Sequence, residues 1–133
     1  MIIDDELSKL LATIRRLRGQ QGCPWDKKQT PQSLKQYLLE ECRELAEAIE
    51  EDDPAHVCEE IGDLYFILGM LSILYAEKND FRPHLPLKQV NEKMIRRHPH
   101  VFDGQPCGSE EELRNQWESI KKDEKQSSKL QRY

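Results

Sequence analysis

Residues 30–78 read TPQSLKQYLLEECRELAEAIEEDDPAHVCEEIGDLYFILGMLSILYAEK, and this stretch decides the fold. Apolar residues recur at helical spacing on both sides of the acidic turn at 52–54. Thr30 can cap a first helix over 31–51, and a proline at the start of each segment suits the first helical position. A second helix is predicted over 54–78. The stretch therefore predicts a helical hairpin.

The rest of the 133-residue chain is also predicted to be helical. It holds 16 Leu and 9 Ile but only 3 Val and 2 Thr, a composition that favours helices over strands. Further helices are expected over 5–18, over 87–97 and from a capping box at Ser109 onward. We expect an all-α bundle of four to five helices, with one domain over 1–125 and a polar, frayed tail over 126–133.

Several classes of protein are excluded by composition. The first residues have neither a basic region nor a long apolar run, so a secretory signal peptide is not expected. The longest apolar stretch, Leu64 to Tyr75, is too short to cross a bilayer. The four cysteines form no C-x-x-C pair, and the net charge of −5 argues against a nucleic-acid partner. A cytoplasmic protein without membrane contact is predicted.

The second hairpin helix is apolar nearly all round from Leu64 onward. Such a helix is usually buried on several sides, and a chain this short has few other helices to cover it. The sequence therefore predicts a homo-oligomer, most simply a homodimer.

Acidic residues of the two hairpin helices are expected to meet. Glu41 and Glu44 share one helix face, and so do Glu60 and Asp63, because residues three apart are neighbours on a helix. Glu44 and Glu60 lie equally far from Asp52 at the turn, and Glu41 and Asp63 also do, which places the pairs about 12 Å and about 16 Å from it. Four carboxylates are thus predicted to converge between the two helices.

Two carboxylates about 4 Å apart repel each other by about 4 kcal/mol at an effective dielectric constant of about 20. Protons or cations must therefore relieve the repulsion within the predicted cluster. Oxygen ligands without His or Cys favour Mg²⁺, Mn²⁺ or Ca²⁺. A di-iron bundle would need Glu-x-x-His on two helices, whereas the nearest match, Asp53-x-x-His56, occurs once. No loop has the spacing of an EF-hand.

A basic face is predicted on the helix over 87–97. Lys93, Arg96 and Arg97 share one side of it, and arginine forks suit phosphate oxygens. Lys27 is a further candidate for a phosphate or base contact because it follows the loop tryptophan Trp25. Carboxylate-bound Mg²⁺ with a basic face is suited to chemistry on a polyphosphate, although the chain has no Gly-rich phosphate loop.

Five motifs in a fixed order carry a family resemblance. They are GCPWDK at 22–27, SL at 33–34 with YLLEE at 37–41, EEIGDL at 59–64, KMIRRHPHVF at 93–102, and WE at 117–118. Over about residues 7–125 the chain resembles the MazG nucleoside triphosphate pyrophosphohydrolase family. Two departures are visible: many relatives carry two such domains in tandem, and Pro31 stands where relatives often have His.

The resemblance implies an all-α fold that dimerises into helical bundles. It implies hydrolysis of nucleoside triphosphates at the α–β bond to monophosphate and pyrophosphate, dependent on Mg²⁺ with Mn²⁺ as a substitute, in the service of cleansing the nucleotide pool. By the family pattern the metal ligands are Glu41, Glu44, Glu60 and Asp63, the phosphate-binding residues are Lys93, Arg96 and Arg97, and the nucleotide contact is Trp117.

Other points stay open at the level of sequence. Glu40 or Glu41 is expected to orient or deprotonate the attacking water. The base and sugar preference is not set by carboxylates, which recognise phosphates. A related enzyme acting on a deoxyuridine nucleotide or a phosphoribosyl metabolite is one alternative, and a non-catalytic helical adaptor that binds metal or nucleotides is another.

Overall fold

The computed structural model describes the backbone of residues 2–131 and the side chains of residues 2–127. Within that range the chain is helical, without strands, as the composition predicts. The helices are α1 (Ile2–Leu17), α2 (Pro24–Lys27), α3 (Pro31–Glu51), α4 (Pro54–Glu77), α5 (Leu85–Arg96), α6 (Pro99–Phe102) and α7 (Glu110–Gln131). None of the described helices is both long enough and apolar enough to span a bilayer.

The chain divides into two compact units, Met1–Pro83 and His84–Tyr133. In the first unit α4 packs against both α3 and α1. In the second unit α5 packs against α6, and the end of α5 is joined to α7 by ion pairs. Helix α7 continues to Gln131, into the segment expected to fray, and residues 132 and 133 lie outside the described residues.

The α3–α4 hairpin begins and ends as its capping residues predict. The Thr30 hydroxyl accepts from the Ser33 N–H, and the Ser33 hydroxyl accepts from the Thr30 N–H, which forms a reciprocal capping box. The turn passes through Asp52 in the left-handed conformation, with φ of 53°, which aspartate tolerates better than most residues. The Asp53 carboxylate then caps α4 by accepting from the N–H groups of Ala55 and His56.

A small apolar core holds the hairpin against α1. Its fully or nearly fully buried members are Ile14 of α1, Leu34 of α3, and Met70, Ile73 and Leu74 of α4. Gly69 of α4 leaves room for Ile14 of α1, because a Cβ at this position would lie 2.8 Å from the end of the Ile14 side chain. The core therefore fixes the position of α4 along the length of α3.

One side of α4 carries exposed apolar side chains. Ile61, Tyr65 and Leu68, spaced four and three residues apart, are 41%, 51% and 47% exposed. The core residues Ile67 and Met70 lie on the opposite side of the helix. Among the residues that the structure describes, this side of α4 therefore departs from the predicted burial on several sides.

Arg18 anchors the loop between α1 and α3. Its guanidinium forms a two-pronged ion pair with Glu77 at the end of α4, with nitrogen–oxygen distances of 2.9 and 2.8 Å. It also donates to the backbone carbonyls of Asp26 and Gln29. Trp25, within this loop, is 38% exposed and meets the Tyr37 ring edge-on, with 5.6 Å between centroids. The loop is thus held to the hairpin mainly by hydrogen bonds to Arg18.

The two four-residue helices were not predicted from the sequence. Both α2 and α6 begin with proline, which supports a first helical turn, but four residues are too few to show an apolar period. Helix α5 begins at Leu85 instead of residue 87, because Pro86 is accommodated in the first turn, where a missing N–H removes no helical hydrogen bond.

Candidate functional site

Three of the four predicted acidic residues lie together between α3 and α4. Glu41, Glu60 and Asp63 each have a carboxylate oxygen within 4.8 Å of the other two. Glu60 is buried, Glu41 is half-buried and Asp63 is exposed, so the cluster runs from the helix interface to the surface. Glu44 lies outside this closest group, although its charge acts on Glu41.

Glu41 and Glu60 of the cluster lie on helix faces that also carry core residues. On α3, Glu41 lies seven residues from both Leu34 and Ala48, which are fully buried, so all three residues share one helix face. On α4, Glu60 lies seven residues before the buried Ile67 and Asp63 lies four before it. Glu41 therefore interrupts the buried apolar face of α3, and Glu60 lies on the face of α4 that continues to Ile67.

Burial and mutual repulsion raise the pKa of Glu41 to about 7. Loss of water around the carboxyl group is the largest cause, followed by the negative charges of Glu44, Asp63 and Glu60. When protonated, Glu41 can donate a hydrogen bond to Glu60. Without a cation the cluster therefore retains a proton near neutral pH.

The unpartnered oxygens of the cluster fit a divalent cation. The Oε2 atoms of Glu41 and Glu60 are buried, and neither accepts a hydrogen bond from any residue that the structure describes. A buried carboxylate oxygen without a donor is unfavourable, and a hard cation relieves both the missing contact and the repulsion. The three residues could hold Mg²⁺ or Mn²⁺, whereas the absence of sulfur and nitrogen from the set is not typical of a zinc site.

His56 supports the cluster from the start of α4, and the sequence analysis considered it only as part of a di-iron motif. Its Nδ1 lies 3.0 Å from Glu51 Oε2, and its Nε2 lies 3.2 Å from Glu60 Oε1. The bond to Glu51 is the largest cause of a raised His56 pKa. The sequence could have predicted this contact, because His56 and Glu60 are four residues apart on one helix and therefore share a face.

The remaining residues of the predicted water-activating and loop sites are exposed. Glu40 precedes Glu41 on α3 and points away from the buried face, as its neighbour position on a helix requires. Lys27, in α2, donates from Nζ to the backbone carbonyl of Gln20 at 3.1 Å, which keeps its ammonium group within its own loop.

The predicted basic face lies in the second unit, at the end of α5. Lys93 and Arg97 are half-buried and Arg96 is exposed. The Arg97 guanidinium stacks over the Trp117 ring at 5.0 Å from its centroid, and His98 meets the same ring edge-on at 5.3 Å. The structure therefore places Trp117 against Arg97, while the binding of nucleotide or phosphate by these residues stays a prediction.

Glu124 was missed by the sequence analysis. Its carboxylate forms ion pairs with both Arg96 and Arg97, and these bonds lower its pKa to about 2. The signal in the sequence was weak: Glu124 lies seven residues after Trp117, on the same face of α7.

The pKa of Glu41 predicts how stability depends on pH when metal is removed by a chelator. Between about pH 4.5 and about pH 7 the folded chain holds a proton that the unfolded chain has released, so the free energy of unfolding falls as pH rises through that interval. Glu41→Gln should make the free energy of unfolding less dependent on pH and should be more stable than wild type above pH 7. Glu50→Gln, which changes an exposed residue on the same helix, should show neither effect. Chemical denaturation across this pH range measures it, and identical curves for wild type and Glu41→Gln would contradict it.

Comparison with known proteins supports the reading of the motifs. The profile of the MazG nucleotide pyrophosphohydrolase domain matches residues 29–102, which include the acidic cluster and the basic face and end before Trp117. The nucleoside triphosphate pyrophosphohydrolase/pyrophosphatase MazG of Thermotoga maritima is 42% identical over 124 residues, 93% of this chain and 47% of that protein. The uncharacterized protein YabN of Bacillus subtilis is 47% identical over 123 residues, 92% of this chain and 25% of that protein.

A solved structure shows the same fold. The crystal structure of a mazG-related protein from Thermotoga maritima matches with a TM-score of 0.71 and 32% identity, covering 86% of this chain and 98% of that one. The chain spans about a quarter to about half the length of the curated relatives named above. The matched domain and these relatives together assign the chain to the MazG nucleotide pyrophosphohydrolase family.

Proposed function

We propose that this chain hydrolyses nucleoside triphosphates at the α–β bond, releasing a nucleoside monophosphate and pyrophosphate. The observation that carries the proposal is the meeting of Glu41, Glu60 and Asp63 between the two helices of the α3–α4 hairpin, with Glu60 buried. Clustered carboxylates repel one another and stabilise the fold less than apolar side chains would. A bound cation that also coordinates a polyphosphate would relieve this repulsion and account for the cluster.

The metal ligands in this proposal are Glu41, Glu60 and Asp63, with Glu44 as the fourth carboxylate. Glu44 is near enough to act electrostatically on Glu41, which supports its place in the set. Mg²⁺ is the proposed cation and Mn²⁺ its substitute, because both prefer oxygen ligands. When bound, the cation would neutralise negative charge on the phosphate oxygens and polarise the reacting phosphorus centre.

Residues around the proposed metal site orient a metal ligand and activate the attacking water. His56 holds one oxygen of Glu60 and so fixes the orientation of that carboxylate. One of Glu40 and Glu41 orients or deprotonates the attacking water. Glu41 lies within the acidic cluster itself, whereas Glu40 lies on the exposed side of α3, where water has access.

Positive charge is proposed to bind the phosphates and the departing pyrophosphate. The residues are Lys93, Arg96 and Arg97, whose donors suit phosphate oxygens, with Lys27 as a further contact. The aromatic ring of Trp117, which Arg97 stacks against, is the proposed nucleotide contact. Removal of unwanted nucleotides from the cytoplasmic pool is the cellular role that fits this chemistry.

Replacement of Asp63 tests the reaction. Asp63→Asn removes one charge from the cluster, so we expect kcat/KM for release of pyrophosphate to fall by at least about 100-fold while the helical content is kept. Glu59→Gln, an exposed neighbour on α4, is the matched control and should retain activity. Assays with Mg²⁺, with Mn²⁺ and with a chelator, over a panel of canonical, damaged and deoxyuridine triphosphates and phosphoribosyl compounds, measure both the metal requirement and the substrate.

The results of these assays distinguish the proposed function from its alternatives. Turnover of a phosphoribosyl compound or a deoxyuridine nucleotide in preference to the other triphosphates would redirect the proposal to a related enzyme. Metal and nucleotide binding without any turnover would support the adaptor alternative. Full activity in Asp63→Asn would remove the acidic cluster from the reaction.

We also propose that two copies of the chain associate through α4. The stripe of Ile61, Tyr65 and Leu68 lies opposite the core, and burying it would remove apolar surface from water. A second copy of the same stripe is the simplest cover, since most soluble oligomers are symmetric and use one patch twice.

Substitution at the centre of that stripe tests the association. Tyr65→Glu would place two negative charges at a twofold contact, so we expect sedimentation equilibrium to show a monomer, whereas Tyr65→Phe should remain a dimer. Circular dichroism checks that both variants stay folded. A wild-type chain that sediments as a stable monomer would contradict the proposal.

A further inference from the structure

A single carboxylate joins the two arginines of the basic face. Glu124 Oε1 accepts from Arg96 Nε at 2.7 Å, and Glu124 Oε2 accepts from Arg97 Nη2 at 2.8 Å. A longer bond, 3.4 Å, runs from Arg97 Nε to Glu124 Oε1. Within the described residues, Glu124 is the acceptor recorded for both guanidinium groups. The end of α5 is thereby tied to the middle of α7.

The bonds to Glu124 leave part of each guanidinium without an acceptor among the described residues. Arg96 is held through Nε, so both of its terminal nitrogens keep their N–H groups. Arg97 is held through Nε and Nη2, so its Nη1 keeps both of its N–H groups. The Arg96 side chain is 51% exposed, so a phosphate oxygen can bind its terminal nitrogens without displacing Glu124.

The Glu124 carboxylate also offsets the electrostatic repulsion between the two neighbouring arginines. Arg96 and Arg97 are adjacent in sequence, and their like charges would otherwise drive the side chains apart. The Glu124 side chain is only 21% exposed, and that of Arg97 only 13%, so solvent screens this contact less than it would a surface ion pair. Stacking of Arg97 on Trp117 fixes the plane of the same guanidinium from another direction.

We propose that Glu124 is a positioning residue that preorganises Arg96 and Arg97 for binding a polyphosphate. This inference rests on the proposed function, because it assigns the two arginines to the phosphates. Glu124 itself touches no substrate in this account. It acts by holding two flexible side chains in place before the substrate arrives, which spares the cost of ordering them on binding.

An opposite role for Glu124 makes the opposite prediction. If the carboxylate competed with phosphate for the arginines, its removal would tighten binding. The free terminal nitrogens argue against competition, because they leave room for phosphate and Glu124 on one guanidinium at the same time. A variant at position 124 therefore separates the two roles by the direction of its effect.

The experiment compares Glu124→Gln with wild type in the full chain. Gln keeps the shape and removes the charge, so we expect KM for the nucleoside triphosphate to rise about tenfold while kcat changes less than threefold. Asp123→Asn is the matched control, since it removes the same charge from an exposed neighbour on α7, and its KM should stay within about twofold of wild type. Thermal melts check that all variants are folded, and Glu124→Asp, which restores the charge, should recover part of the loss.

A double-mutant cycle shows whether Glu124 acts through the arginines. In an Arg97→Gln background, Glu124→Gln should raise KM by about threefold or less, because one of its two partners is already absent. The full tenfold penalty in both backgrounds would overturn the positioning role. An unchanged or lowered KM in Glu124→Gln alone would also overturn it.

Binding of inorganic tripolyphosphate, measured by calorimetry, separates this inference from the proposed function. If wild type turns over no triphosphate but binds tripolyphosphate, and Glu124→Gln weakens that binding about tenfold, the function fails and the positioning role stands. If wild type is active and Glu124→Gln leaves both KM and tripolyphosphate affinity unchanged, the positioning role fails and the function stands. A wild type that neither reacts with nor binds these compounds overturns both.

Discussion

Repulsion among carboxylates held between two packed helices is the constraint on which the rest of the site depends. Glu41 shares its face of α3 with buried Leu34 and Ala48, and Glu60 shares its face of α4 with buried Ile67. Apolar side chains at these positions would continue the core and stabilise the hairpin. The acids instead need a proton or a cation, and the raised pKa of Glu41 shows how the cation-free chain responds. The hairpin thus gives up some stability where it gains a charged site.

The surrounding structure is arranged to withstand that repulsion. Caps at both ends of the turn and a core centred on Ile14 and Met70 hold α3 and α4 together on either side of the acids. Both ring nitrogens of His56 face carboxylates, so a protonated His56 places a positive charge beside Glu51 and Glu60. In the second unit the charges have the opposite sign, and Glu124 serves there as the neutralising group between two arginines. The acidic cluster and the basic face are thus each contacted by a residue that can carry the opposite charge, His56 in the first unit and Glu124 in the second.

Sequence reasoning was most reliable where the cause is local. The start of α3 was predicted from the cap at Thr30 and the start of α4 from Pro54, because such signals act within a few residues. Equal distance from the turn predicted that Glu41 and Asp63 would meet, because an antiparallel hairpin fixes height by counting residues. The choice of the buried side of α4 was harder. Ile61 and Leu68 recur at helical spacing with Leu64 and Leu71, yet both are exposed, because a helix that is apolar all round gives no periodic signal for its inward face. The contacts of Glu124 with the end of α5 depend on tertiary packing, which no local pattern encodes.

Binding of a divalent cation by the hairpin acids tests the account most directly. Titration of the chain with Mn²⁺ above pH 7, followed by electron paramagnetic resonance of the free ion, measures that binding without any assumption about substrate. The account predicts a saturable Mn²⁺ site that Mg²⁺ displaces, weakened at least about tenfold in Glu60→Gln and unchanged in Glu59→Gln. Equal Mn²⁺ affinity in wild type and Glu60→Gln, or no saturable binding in wild type, would contradict it.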